Sequence, residues 1–151
     1  MQRIIISDAS CLILLEKIGE LDLLNKLFGK IITTQEVADE FGLPLPGWVE
    51  LRHASDKNYQ AIIEASVDKG EASAIALAIE YVDCLIIIDD LKARKFALQL
   101  HLNITGTLGI IVEAKRSGII ESVEPLIDRI RNTNFRITEK LKAMIIKKAN
   151  E

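Results

Sequence analysis

Acidic side chains are the residues in this chain whose types and positions could do chemistry. Asp8 follows the apolar run Ile4-Ile5-Ile6, and Asp89-Asp90 follow Leu85-Ile86-Ile87-Ile88. Short continuous β-branched runs suit strands buried on both faces, as in a parallel sheet. In an open parallel sheet, ligands sit beyond the carboxyl ends of the strands. If the two runs are neighbouring strands, Asp8 and the Asp89-Asp90 pair can converge there. Glu40 lies on a helix with Val37 and Phe41 and is expected near that helix's buried edge. Glu71 falls in the first turn of an alanine-rich helix. Gathered carboxylates favour hard divalent cations, Mg²⁺ or Mn²⁺, over zinc or copper. Each acid also has a structural use. An aspartate after a strand commonly caps a helix, and a glutamate in a first turn meets the helix dipole. The residues taken singly leave both uses open.

The elements that must position these acids alternate between strand and helix. Helical spacing of leucines covers 10–18 and 21–28, with Gly19 between them. Ile31-Ile32 reads as a strand, and Thr33 with Glu36 fits a capping box that starts a helix through Phe41. Gly42-Leu-Pro-Leu-Pro-Gly47 stops that helix, since proline cannot continue one. Trp48–Leu51 reads as an edge strand. Helices are expected over 56–67, from Gly70 to Tyr81, and from Leu91 to Leu100. Asn103–Thr105 is a short strand, Gly106-Thr107-Leu108-Gly109 opens another helix, and two more fit 122–131 and 138–149. The alternation predicts an α/β fold with a mostly parallel central sheet. Right-handed crossovers place helices on both faces, giving three α/β/α layers.

The 151 residues are expected to form a single domain, 1–151, with a core over 3–132 and a basic amphipathic helix at 138–149. A net charge of −3 argues against binding nucleic acid by bulk positive charge. That total hides an asymmetry: residues 1–91 carry 7 Lys/Arg against 16 Asp/Glu, and residues 92–151 carry 12 against 6. Lys92, Arg94, Lys95, Lys115, Arg116, Arg129, Arg131 and Arg136 make the second part a candidate phosphate-facing surface. No aromatic platform stands out among these charges. Cys11 and Cys84 sit in apolar runs and read as small buried hydrophobes in a cytoplasmic protein. The initial apolar run is too short for a signal peptide or a membrane span.

Four segments in order resemble the PIN-domain family: Asp8-Ala9-Ser10, Val37-Ala38-Asp39-Glu40, Gly70-Glu71-Ala72 running on to Ala78, and Ile88-Asp89-Asp90-Leu91-Lys92-Ala93-Arg94. The pattern is most similar to an uncharacterised prokaryotic PIN-like subfamily, with Gly106–Gly109 as a further shared segment, and it covers residues 3–132. The resemblance implies a PIN-like fold and a metal-dependent ribonuclease, commonly the toxin of a toxin–antitoxin pair. It places Asp8, Glu40, Glu71 and Asp90 on the family's acidic positions, as catalytic residues and ligands of Mg²⁺ or Mn²⁺. Asp89 is either a ligand in place of Asp90 or a group that supports one. Glu71 stands where aspartate is usual. Ser10, Lys92, Arg94 and Lys95 are the expected substrate-binding residues. RNA, an antitoxin protein and a second copy of the chain are the expected partners, with the aliphatic helices over 10–28 as material for a dimer interface.

The hydrolysis this implies is chemically coherent, because a carboxylate-held Mg²⁺ or Mn²⁺ activates water and neutralises phosphoryl charge. No phosphate-binding glycine loop is present, and neither His53 nor His101 sits beside a nucleophile motif. The paired acids follow the wrong strand for a phosphotransfer receiver, and Asp8-Ala9-Ser10 lacks the second aspartate of a haloacid-dehalogenase-type phosphatase. A binding module for RNA or protein with little turnover is the alternative.

Overall fold

The computed structural model describes residues 3–151. In chain order the elements are β1 (Ile4–Ser7), α1 (Ala9–Lys17), α2 (Leu23–Phe28), β2 (Ile31–Thr33), α3 (Gln35–Phe41), β3 (Val49–Leu51) and α4 (Lys57–Glu64). There follow α5 (Lys69–Ile79), β4 (Cys84–Ile87), α6 (Leu91–Gln99), β5 (Asn103–Thr105), α7 (Thr107–Arg116), α8 (Glu124–Arg131) and α9 (Glu139–Lys148). The expected strands are all present, and Val49–Leu51 is an edge strand.

The sheet runs β3-β2-β1-β4-β5 with every pairing parallel. Alternation along the strands sends successive isoleucines to opposite faces. Ile5, Ile31 and Ile87 join one apolar cluster with α1, α2, α7 and α8. Ile6, Ile32 and Ile86 join the other, built on α5 and α6. Burial on both faces explains why these strands read as unbroken apolar runs, and it gives the three α/β/α layers.

The chain first builds outward from β1 through β2 to β3, then returns to the other side of β1 as β4. The order therefore reverses between β1 and β4, where an open parallel sheet forms its crevice. Ser7 is in register with Ile87 there, which sets Asp8 beside Ile88 and Asp89.

One local expectation is corrected. The cap of α3 is Thr34, whose hydroxyl accepts from Val37 N at 3.2 Å. Thr33 instead ends β2 and donates to the Ser7 carbonyl at 2.8 Å. Glu36 is consequently one position short of a capping box and accepts from Gln60 Nε2. Thr34 is buried, and its Oγ1 also meets Ser73 Oγ at 2.6 Å, tying α3 to α5. We expect Thr34→Ala to lower stability by about 1–2 kcal/mol in denaturant unfolding, from one lost cap and one lost tie. A Thr34→Ala midpoint equal to that of the native chain would contradict this role. In α1 and α2, Leu12, Leu14, Leu15, Ile18, Leu23 and Leu24 are buried in the chain's own core, while Ile13, Leu27 and Phe28 are only partly buried.

Cys11 and Cys84 are free and buried, as their apolar runs predict. Burial pushes the Cys84 thiol up to about 12, which makes it unreactive at neutral pH. No described helix is long and apolar enough to cross a membrane.

Candidate active site at the carboxyl edge of the sheet

Asp8 leaves β1 at its carboxyl end and caps α1, its Oδ1 accepting from Cys11 N at 3.0 Å. Its other oxygen accepts from Asp89 N at 3.1 Å. One carboxylate thus joins the ends of two strands whose contributing residues lie 81 apart in sequence. Asp8 is only 1 % exposed. Removal from water pushes its carboxyl up to about 8, and the neighbouring Asp89 and Glu71 charges push the same way against two backbone N–H bonds.

Asp89 is held from the far side. Its Oδ1 accepts from Thr107 N at 2.7 Å and its Oδ2 from Thr107 Oγ1 at 2.5 Å, at the start of α7. Burial raises its pKa, while the Thr107 bonds and the Arg94 charge lower it. A Cβ on Gly106 would come within 2.8 Å of both Asp89 Oδ1 and Arg94 Nη1. The glycine in Gly106-Thr107-Leu108-Gly109 is therefore needed for close approach to the acid.

Asp90 turns the other way and is exposed. It caps α6 through Ala93 N at 2.9 Å. With Glu71, Asp68 and Lys92 it lines a recess of about 310 Å³. Glu71 is half-buried on the first turn of α5. Its carboxyl is pushed up to about 7, first by burial, then by the Asp90, Asp68 and Glu40 charges. Glu40 reaches this group over Gly70, where an added Cβ would lie 3.4 Å from Glu40 Oε1, in ordinary contact with it. Glu40 itself is exposed, not at the buried edge its apolar neighbours predicted. It stands at the rim, over the helix junction made by Val37 and Gly70.

The five predicted acids thus fall into two adjoining sets. Asp8 and Asp89 form a buried pair, and Glu71, Asp90 and Glu40 form a more open group. Among the described residues, no three His, Cys, Asp or Glu side chains converge closely enough to make a ready cage for a metal. The donor set nevertheless suits a hard cation. Its ligands are all carboxylate oxygens, and the charges raising Glu71 are all negative. Mg²⁺ commonly binds through one or two carboxylates and keeps several waters, so it needs no closed cage.

We expect Glu71→Gln to raise the metal-free melting temperature at neutral pH. The substitution removes a charge disfavoured first by burial and then by the Asp90, Asp68 and Glu40 carboxylates, worth about 1 kcal/mol after allowing for solvent screening, or roughly 2–4 °C for a chain of this size. A fall in melting temperature would show that Glu71 stabilises the metal-free fold.

The predicted substrate-binding residues are dispersed. Lys92 lines the acidic recess. Ser10 and Lys95 are exposed and line neither that recess nor the larger groove beside Asp89. Arg94 lines the larger groove beside Asp89, and its Nη1 donates to the Ile88 carbonyl at 2.8 Å, which pins the turn that carries Asp89. The broad basic surface is also reduced. Lys115, Arg129 and Arg131 pair with Glu151, Glu20 and Glu139. Glu151 and Glu20 lie far from their partners in sequence, so charge counting does not find those pairings. Thr107 was missed as a functional residue, and its place one position after a strand-ending glycine was the available signal.

A family model for the PIN domain matches residues 4–151. The chain belongs to the PIN-domain family. The match runs through α8 and α9 to the last residue, beyond the 3–132 span carried by the sequence motifs. PIN domains are generally nucleases and typically use divalent metals, so this is a nuclease-type fold. No curated protein matches the chain. In this PIN domain, the buried Asp8–Asp89 pair occupies the crevice between β1 and β4.

Proposed function

We propose that the chain is a metal-dependent endoribonuclease. The observation that carries this reading is the meeting of Asp8 and Asp89 at the reversal of strand order, beside Glu71 and Asp90. Holding carboxylates this close, with one nearly removed from water, is unfavourable without a cation. Such an arrangement costs stability and is accounted for by a use.

In this reading Asp8, Glu71 and Asp90 hold Mg²⁺ or Mn²⁺, with Glu40 at the rim. When bound, the ion supplies a polarised water and neutralises charge on the phosphoryl oxygens. Asp89, fixed by Thr107, keeps the Asp8 carboxylate in place through its backbone N–H and is the alternative to Asp90 as a ligand. Lys92, beside Asp90 and Glu71, meets the substrate phosphate. Arg94 acts by position, holding the Ile88 turn.

The family resemblance supports a toxin role, with an antitoxin protein and a second copy of the chain as partners in the cytoplasm. The non-catalytic alternative draws on one observation, the lack of three converging ligands among the described residues. Incubating single-stranded RNA with Mn²⁺ separates the two readings. The native chain should cleave, and Asp8→Asn and Asp90→Asn should not. Equal cleavage by all three would remove the acids from the mechanism, and no cleavage by any would favour the binding module.

A further inference from the structure

On the other side of the Asp89-Asp90 turn lies a groove of about 860 Å³ between the start of α6, α7 and α9. Asp89 lines this groove, while Asp90 lines the acidic recess. The two depressions therefore adjoin at one dipeptide. The groove carries four cations, Arg94, Arg116, Arg136 and Lys148, against two acids, Asp89 and Glu113. Among the described residues, Arg116, Arg136 and Lys148 form no ion pair, in contrast to Lys115, Arg129, Arg131 and Lys142 nearby. They are exposed. Half-buried Phe135 also lines the groove, in the segment between α8 and α9. Phe135 is a single ring next to Arg136 in sequence; it packs partly against the core, and the fold brings it into one groove with Arg116 and Arg94.

We propose that this groove binds single-stranded nucleic acid running away from the acidic site, with Phe135 stacking on a base and Arg116, Arg136 and Lys148 holding phosphates. The inference rests on the nuclease reading for its direction, because Asp89 is shared with the proposed centre. Charge complementarity selects the occupant. Unpaired cations rim an apolar floor, as in sites where a strand's phosphates lie along basic residues and its bases stack on aromatic rings. The floor includes Met144, which is 43 % exposed and open to an apolar base face. A duplex would not offer its bases to such a floor, so the groove selects unpaired strands.

The test is fluorescence anisotropy of a labelled short oligouridylate with the full chain in EDTA, where cleavage does not interfere. Phe135→Ala should weaken binding about 5- to 150-fold, and Phe135→Tyr should restore it. Arg116→Ala with Arg136→Ala, both at exposed positions, should reduce the slope of log affinity against log salt by about 1.4. The matching duplex should bind more weakly than the single strand. The proposal is overturned if the native chain does not bind the probe, or if these variants keep its affinity and salt slope. It is also overturned if sedimentation finds a dimer that the same substitutions dissolve, since a second copy then fills the groove. If the strand binds as described but Mn²⁺ produces no cleavage, the nuclease reading fails while the groove stands.

Discussion

Asp8→Asn is expected to reduce RNA cleavage by roughly 10²–10³-fold or more while leaving the fold intact. The size follows from what the side chain does. It is the buried acid at the point where two strand ends meet, and removal of one preorganised electrostatic group typically costs a nuclease-like centre this much. The fold should survive, because the asparagine carbonyl can still accept from Cys11 N and asparagine caps helices about as well as aspartate. What it cannot do is accept from Asp89 N with its amide nitrogen, a loss of about 1 kcal/mol. Melting curves and cleavage rates measured on the same preparation separate the two effects. Asp90→Asn is the companion variant. Its side chain is exposed, and its cap to Ala93 N can be kept, so any loss of activity there is chemical. Cleavage by Asp8→Asn at the native rate would exclude Asp8 from the centre.

The second large effect concerns metal and pH together. An ion that binds only the folded chain at a hundred times its Kd adds about 2.7 kcal/mol, or roughly 5–10 °C in Tm. Mg²⁺ or Mn²⁺ should therefore raise Tm in the native chain and much less in Asp8→Asn. The size of the increment should depend on pH. Folded Asp8 keeps its proton up to about 8, whereas an unfolded aspartate has lost it by about pH 5. Between those values the folded chain binds more protons, so metal-free stability falls as pH rises. Glu71, raised to about 7, acts in the same direction. A cation must displace those protons, so its contribution grows across the same interval. Metal-free Tm should decline from about pH 5 to about pH 9, and the metal-induced increment should widen. A Tm unmoved by millimolar metal throughout this range would argue that these acids do not form a metal centre.

The sheet was readable because its strands are buried on both faces, so Ile4–Ile6 and Leu85–Ile88 stand out against their polar ends. The acids at those ends were readable for the same reason. What escaped sequence reading were interactions set by tertiary packing. The neighbours Val37 and Phe41 predict an inward Glu40, yet it is exposed at the rim. Arg94 does line the groove beside Asp89, but its bond to the Ile88 carbonyl is not visible in helical spacing. Thr33 and Thr34 differ by one position, and the register of β2 on β1 decided which one caps. The charge asymmetry survived only locally. Four of the twelve cations in 92–151 are held in ion pairs, and four of the others line the groove beside Asp89.

The central place of β1 also bears on how the protein is made. Asp8, Glu40 and Glu71 all leave the ribosome before β4, the strand that completes the crevice, has been synthesised. Contacts between residues this far apart form late, after a long loop has closed. A nascent chain that ends before residue 84 therefore carries three of the acids but lacks the Asp89 amide that holds Asp8. The acidic centre is thus completed only in the second half of translation, once β4 and the Asp89 turn have been made.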